Sequence, residues 1–318
     1  MKRSCGIAVG LVVCLLCVSI GVGNAGDEKF SLVVREGFGS IGIGDLNSVL
    51  KSTNNDAVYE YLRENYPQCC VGNIQEIPND FKNWEAELQW NLWRRFSVGV
   101  AFEDKAKYDG KSFLTYTILG SVGPETINYT YHSRISVCAP IKFNLYYSLP
   151  INSKANIILN AGTGYYCTKL LYSVFYQFRY PLNSMELYSD QFDVKGNQVG
   201  FHCGFALEYK VSSRMFLLVE SHWRFAKIRT LTGSCLSSDQ YFDAEGYLID
   251  ESEVLMPHGT LLHYIGTNLY TGARIEKLAV SNSDPSSIGG IDDPSDARKA
   301  TLDLNGFTFR IGLKIGLF

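Results

Sequence analysis

Two adjacent serine–histidine pairs come nearest to a hydrolytic arrangement in this sequence. Ser221 precedes His222, and His132 precedes Ser133, so each pair brings a nucleophile and a general base together along the chain. Adjacent residues of a β-strand point to opposite faces, however, so neither pair can form a side-chain hydrogen bond. Glu220 and His222 do share a face, as a base and its orienting group would. A packed ion network has the same spacing, and we therefore predict no catalytic residue.

Charged side chains recur on one face of several segments, and we expect this face to line the interior of a barrel. The interior of an eight-stranded barrel is just wide enough for side chains to fill. Its charges should pair, because an unpaired buried ion would cost several kcal/mol. A salt-bridged core is therefore favoured over a polar conduit. The predicted interior residues are Arg35, Glu85, Glu87, Glu103, His132, Arg134, Lys142, His202, Glu208, Glu220, His222, Arg224, Arg310 and Lys314.

The cysteines show no metal-ligand spacing. Six remain once a leader holding the first three is removed, and they form no CxxC or Cys/His pattern. No nucleotide or calcium motif is present either, so we expect neither a metal nor a cofactor. The neighbours Cys69 and Cys70, together with Cys235, fall in predicted loops of an oxidising compartment, where a disulfide can form.

The N-terminus has the pattern of a secretory signal. Lys2 and Arg3 precede an apolar stretch over 6–22, and Gly23-Asn24-Ala25 supplies small residues for cleavage. We predict a signal peptide over 1–25 and one barrel domain over 26–318. With a net charge of -3, the chain shows no basic footprint for nucleic acid.

Period-two alternation of apolar and polar residues is the strongest pattern in the chain. It covers the ranges 84–92, 96–103, 127–147, 199–209 and 215–225. In 127–147 we place Ile127, Tyr131 and Phe143 on one face throughout. In a helix, whose period is 3.6 residues, the same residues would be mixed on every side within two turns, so the pattern indicates strands.

Eight strands account for the alternating segments, and their connections alternate in length. Short turns are predicted at 94–95, 149–154 and 212–214. Short turns on one side and long loops on the other are typical of an outer-membrane barrel with both termini in the periplasm. Asp45 is a candidate N-cap for a short helix, and 57–64 is a candidate second helix. The predicted strands are 29–40, 83–93, 96–107, 126–148, 155–178, 197–212, 215–231 and 299–318, and the predicted long loops are 41–82, 108–125, 179–196 and 232–298.

The mature chain resembles small outer-membrane barrels of the OmpA, OmpX and OmpW type. The alternating segments and the C-terminal strand Gly306–Phe318 carry this resemblance. It implies an all-β, eight-stranded antiparallel up-and-down transmembrane barrel with long extracellular loops. A chain that ends on Phe resembles the signal read by the barrel-insertion machinery, although Phe318 shares its parity with Lys314 and Arg310. The segment Gly42–Asn47 also resembles uncharacterised barrel proteins with a Gly-Asp-Leu-Asn start in this loop.

Function is less visible than architecture, and three interpretations stay open. The first is a non-enzymatic barrel of the bacterial outer membrane, with a structural or surface-interaction role through its extracellular loops. It would sit among outer-membrane lipid and lipopolysaccharide and bind no nucleic acid. The second is a conduit for small or hydrophobic solutes of the OmpW kind. The third is a lipid A-modifying enzyme or a soluble lipocalin-like binder. In the soluble binder the apolar face of each strand would point into the barrel.

Overall fold

The structure is a computed structural model that describes residues 29–93, 95–119, 123–267, 274–282 and 297–317. The predicted signal peptide over 1–25, Arg94 and Phe318 lie outside the described residues. No helix in the described ranges is long and apolar enough to cross a membrane.

Eight antiparallel strands close into a ring. Going round the ring from β1, the order is β3, β4, β5, β6, β7, β8 and β15, and β15 pairs with β1 again. The turns at 151–154 and 211–214 are short and lie at one end, which we call the turn end. The predicted fold class is thereby confirmed. The ring strands are β1 (Phe30–Ile41), β3 (Asp80–Trp93), β4 (Phe96–Leu119), β5 (Pro124–Pro150), β6 (Ala155–Arg179), β7 (Met185–Lys210), β8 (Met215–Phe225) and β15 (Gly306–Gly316).

The turn-end half of the ring presents apolar side chains outward on every strand. Phe201 is 66% exposed and Phe143 is 51% exposed, and comparable residues surround the ring. So continuous an apolar surface is unfavourable in water, but it suits the hydrocarbon of a membrane. The 11 residues of β8 and of β15 match the ~9–11 that a tilted strand needs to cross. We call this surface the apolar belt, and the strand segments beneath it span the membrane.

A β-bulge in β5 separates the membrane-spanning half from the rest of the strand. Cys138 pairs with Cys167 and Ile141 with Tyr165, so Ala139 and the residue after it oppose a single residue of β6. One extra residue reverses the face on which all later side chains lie, because the side-chain period is two. Proline is compatible with a bulge because it has no N–H to donate to the ladder, and Pro140 occupies this one.

The bulge overturns the prediction that 127–147 keeps one face. Ile141, Phe143 and Leu145 face outward on the membrane side of the bulge. Tyr131 and Ile135, on the other side, are buried inside. A matching irregularity in β4 lies between residues 103 and 106. The barrel is therefore apolar outside within the membrane and apolar inside above it.

Strands replace much of the predicted loop structure. The segments 108–119 and 185–196 belong to β4 and β7, so the predicted loops 108–125 and 179–196 are wrong over most of their length. Long-range pairing and the internal apolar face stabilise these extended hairpins above the membrane. We call the whole non-membrane part the extension. Its other elements are α1 (Asp45–Asn54), α2 (Ala57–Asn65), the 3-10 turns Pro67–Cys69 and Pro181–Asn183, β2 (Cys70–Asn73), β9 (Lys227–Ile228), β10 (Thr232–Phe242), β11 (Leu248–Thr267), β12 (Arg274–Ser281), β13 (Arg298–Lys299) and β14 (Leu302–Asp303).

The main sheet of the extension has the order β12-β11-β10-β7-β6-β5-β4-β2, and α1 packs against its buried apolar face. Leu46, Val49, Leu50 and Thr53 of α1 are buried, at the spacing of one helical face. The Tyr131 hydroxyl of β5 lies 3.3 Å from Oγ1 of Thr53. Helix α1 is therefore part of the buried core of the extension.

The Gly-Asp-Leu-Asn segment holds α1 in place. Gly44 adopts a φ of 73°, a conformation that favours glycine, and it is the residue before the helix. Asp45 is the first helical residue and not the N-cap that the sequence suggested. Its carboxylate accepts two hydrogen bonds of 2.7 Å from Arg298 and further ones from Thr301. Asn47 bonds both backbone groups of Ile77. The segment thus ties α1 to two separate loops.

We expect Asp45→Asn to reduce the free energy that holds 297–305 against α1 by about 1 kcal/mol. The value is modest because Arg298 is half exposed. Burial acts to raise the pKa of Asp45, but the hydrogen bonds from Arg298 and Thr301 outweigh it and lower the pKa to about 2. The wild-type attachment should therefore persist above pH ~4 and weaken as the pH falls towards ~2. Faster proteolysis of 297–305 in the variant at neutral pH is the expected readout. Asp109→Asn, which removes a carboxylate from the outer face of β4, should leave that rate unchanged.

Candidate functional site

A layer of paired ions fills the lumen inside the apolar belt. Glu85 and Glu103 are its centres: Glu85 binds Arg35, Lys142 and Arg310, and Glu103 binds Lys142, Arg310 and Arg224. These side chains are at most 4% exposed. Burial of this kind is tolerated only where each charge is paired and hydrogen-bonded.

Two further carboxylates complete the layer. Glu87 binds Arg35 and accepts hydrogen bonds from Asn144 at 2.9 Å and from Tyr146 at 2.7 and 2.8 Å. Glu220 lies 2.7 Å from Nε of Arg35 and accepts a hydrogen bond from Asn160 at 2.6 Å. Four carboxylates thus face four cations in the layer. A fifth pair, Lys314–Glu208 at 3.0 Å, lies nearer the turn end.

Buried apolar clusters lie on both sides of the ions. Val33, Tyr146, Ile158, Ala206 and Leu218 form a small buried cluster on the turn-end side. The large buried cluster of the extension covers the other side. Arg224 also lies over the rings of Phe81 and Tyr166, at 5.6 and 5.0 Å from their centres. An ion moving along the lumen would meet paired charges and then packed apolar side chains.

Twelve of the fourteen predicted interior residues lie buried in the lumen. Bonds or close contacts connect Arg35, Glu85, Glu87, Glu103, Glu220, Arg224 and Arg310, and His202 lies against them. The His222 ring is 4.9 Å from that of His202. His132 and Arg134 are not there. Both lie on the outer face of the extension, and Arg134 binds Asp109 at 2.7 Å with both side chains about half exposed. The bulge in β5 places them outside, so their prediction as lumen residues is wrong.

The serine–histidine pairs are separated by the pleat, as expected for strands. Ser221 lies on the face of β8 that carries Trp223, whereas His222 is buried in the lumen. Glu220 is engaged with Arg35 and Asn160. Nε2 of His202 lies 2.6 Å from the Asn144 side chain. These residues pack as members of one ion network.

The predicted loop disulfide is absent from the described part of the chain, where Cys69, Cys70 and Cys235 are free thiols. Cys235 lies in β10 and not in a loop, with its sulfur 3.7 Å from the Ser237 hydroxyl. Burial raises the pKa of the Cys235 thiol to about 11, which makes it unreactive at neutral pH. Within the described residues, no cluster of His, Cys, Asp and Glu could hold a metal ion.

Several network residues were missed because they carry no charge. Tyr146, Asn144 and Asn160 satisfy carboxylates in the lumen. Asn144 and Tyr146 share the parity of Lys142, which alternation already placed in the lumen, so counting the uncharged polar residues of that face would have found them. The role of Arg298 at Asp45 had no comparable signal, because it depends on a contact across 253 positions.

A closed ring with a lipid-facing belt and a filled polar interior defines an outer-membrane β-barrel protein, which belongs in the bacterial outer membrane. No protein-family model matches the chain, and no curated protein matches it. The class rests on this chain's own ring and belt.

Solved structures that resemble the fold include three outer-membrane proteins. A major outer membrane protein of Thermus thermophilus has 11% identity and a TM-score of 0.34, covering 90% of this chain and 98% of that one. OprG of Pseudomonas aeruginosa has 7% identity and a TM-score of 0.34, with coverages of 92% and 98%. The outer membrane protease OmpT of Escherichia coli has 8% identity and a TM-score of 0.26, with coverages of 93% and 99%.

Proposed function

We propose that this protein is a non-conducting, non-enzymatic barrel that holds a binding domain at the cell surface. The observation that carries the proposal is the layered filling of the lumen, in which apolar side chains lie on both sides of a balanced ion network. Since short turns face the periplasm in barrels of this class, the extension projects outward from the cell. Outer-membrane lipid and lipopolysaccharide surround the belt, and the barrel-insertion machinery assembles it.

The extension accounts for the surface role in this proposal. It has its own apolar core, its own helices and a sheet of eight strands, far more structure than a connecting loop requires. Folded segments of this size on a rigid scaffold are where binding residues concentrate. The conduit hypothesis would instead need a continuous lumen.

Planar-bilayer recording tests the proposal. The purified full chain should give no conductance steps above the bare bilayer, because the lumen is filled at three successive levels. A general porin added to the same bilayers is the positive control. Stable, reproducible channel openings of the wild-type protein would contradict the closed barrel and favour the conduit.

A further inference from the structure

A cavity of about 310 Å³ lies in the extension, between α1 and the buried face of the sheet. Six of the sixteen described residues that line it are aromatic. The ring centres of Tyr131 and Tyr172 lie 6.3 Å apart. Those of Tyr172 and Phe192 lie 5.7 Å apart, and those of Tyr176 and Tyr188 lie 5.6 Å apart. Tyr131, Tyr172 and Phe192 are at most 4% exposed. The cavity is therefore a preformed aromatic pocket, at the lower end of the size range for small-molecule sites.

The same wall has an excess of negative charge. The carboxylates of Glu186, Asp190, Asp239 and Glu276 line it, and Lys277 is the one lysine or arginine among its described lining residues. Lys277 donates a hydrogen bond to the Thr267 carbonyl. Carboxylates in excess over cations lower the free energy of any further cation that enters.

Asp190 is hydrogen-bonded directly to one of the tyrosines that line the cavity. It accepts hydrogen bonds from the Tyr188 hydroxyl at 2.9 and 3.0 Å and from Ser237 at 2.5 Å. Burial raises its pKa. Burial also raises the pKa of Asp239, as do the neighbouring charges of Glu186 and Asp250. Both groups would be stabilised in their charged form by a cation between the walls.

An unsatisfied hydroxyl gives a second, independent sign of a ligand. The Tyr172 hydroxyl is buried with no hydrogen-bond partner among the described residues, and Tyr172 is 3% exposed. Buried hydroxyls are normally hydrogen-bonded, since leaving one unpaired is costly. Tyr172 lines the cavity, so a bound molecule or its water could supply the missing partner.

We propose that this cavity binds a small organic ammonium ion, with alkyl groups on its nitrogen. Aromatic faces attract such cations, and the alkyl groups replace water against the rings. The Asp190 carboxylate supplies the opposite charge, and the Tyr172 hydroxyl can accept or donate a hydrogen bond to a polar substituent. A bare metal ion fits less well, because aromatic rings would take the place of its oxygen ligands. The inference rests on the proposed surface role, since it needs a cavity open to the medium.

Isothermal titration calorimetry on the full chain in detergent micelles tests this inference. Choline is the probe, and 3,3-dimethyl-1-butanol is its neutral isostere, with carbon in place of the charged nitrogen. We expect choline to bind at least about tenfold more tightly than the isostere, since the two differ in charge and little else. Equal affinities would overturn the proposal and leave an apolar pocket only.

Two variants of β7 complete the test. Asp190→Asn keeps the shape of the side chain and removes its charge, and we expect it to weaken choline binding about tenfold. Asp193→Asn removes the same charge from the outer face of the same strand, where Asp193 binds Lys169 at 2.8 Å, and should leave binding unchanged. Equal losses in the two variants would overturn the inference, as would wild-type protein that is folded by its gel mobility but binds no choline.

Bilayer recording on the same samples separates the two proposals. A closed barrel without choline binding would contradict the ligand class alone. A conducting barrel that binds choline would contradict the proposed function, while the site would stand.

Discussion

Glu103→Met should destabilise the barrel by about 3 to 5 kcal/mol, because it leaves the buried Arg224 without its ion-pair partner and the layer with one cation in excess. Glu103 pairs with Arg224, Lys142 and Arg310, and all four side chains are at most 2% exposed. Methionine fills a similar volume, so the loss comes from charge and not from a cavity. Denaturant unfolding in lipid vesicles, followed by tryptophan fluorescence, is the measurement.

The double variant Glu103→Met/Arg224→Met separates charge from packing. Arg224 has Glu103 as its ion-pair partner, whereas Lys142 and Arg310 retain Glu85. Removing both groups restores the balance of the layer, and apolar replacements of a buried pair are often neutral. We expect most of the lost stability to return. A double variant as unstable as the single one would mean that packing or hydrogen bonding of Glu103, and not charge balance, stabilises the layer.

Deleting Pro140 should prevent assembly of the barrel. The deletion removes the extra residue of the bulge. Because side chains alternate between faces, one of the two halves of β5 must then exchange its inner and outer faces. Charged Lys142 would face lipid, or Tyr131 and Ile135 would leave the core of the extension. The cost is comparable to the whole free energy of folding, on the order of 5–15 kcal/mol.

The assay for this deletion is the mobility of unheated against heated samples on an SDS gel. The wild type should show a heat-dependent shift and the deletion should not. Pro140→Ala keeps the residue count and should change stability by less than about 1 kcal/mol, since it alters chiefly the entropy of the unfolded chain. A deletion variant that still shows the wild-type shift would contradict the role given to the bulge.

Alternation predicted the membrane half of this fold because that half obeys a single rule. Each strand there faces lipid on one side and a packed lumen on the other. The alternation of apolar and polar residues therefore predicts the strands of the ring and most residues of its ion network. The prediction failed at Ala139 and Pro140, where one extra residue inverts the faces. Proline inside a strand was the available signal for that inversion.

The extension could not be predicted by the same means. Its strands are apolar inside and polar outside, an arrangement that the sequence pattern assigns only to the soluble-barrel interpretation. The two interpretations, membrane barrel and soluble barrel, each describe one half of the same strands. Contacts such as Asp45–Arg298 and Tyr131–Thr53 join residues far apart in sequence, and local patterns carry no information about them.

Cysteine labelling on intact cells tests most directly whether the barrel presents the extension outside. In a variant without native cysteines, Glu245→Cys places a thiol at the β10–β11 turn, and Ser153→Cys places one in a turn-end loop. Both positions are exposed. A membrane-impermeant maleimide should label the first thiol on intact cells and the second after the outer membrane is permeabilised. Labelling of Ser153→Cys alone on intact cells would show the extension facing the periplasm and would contradict the account.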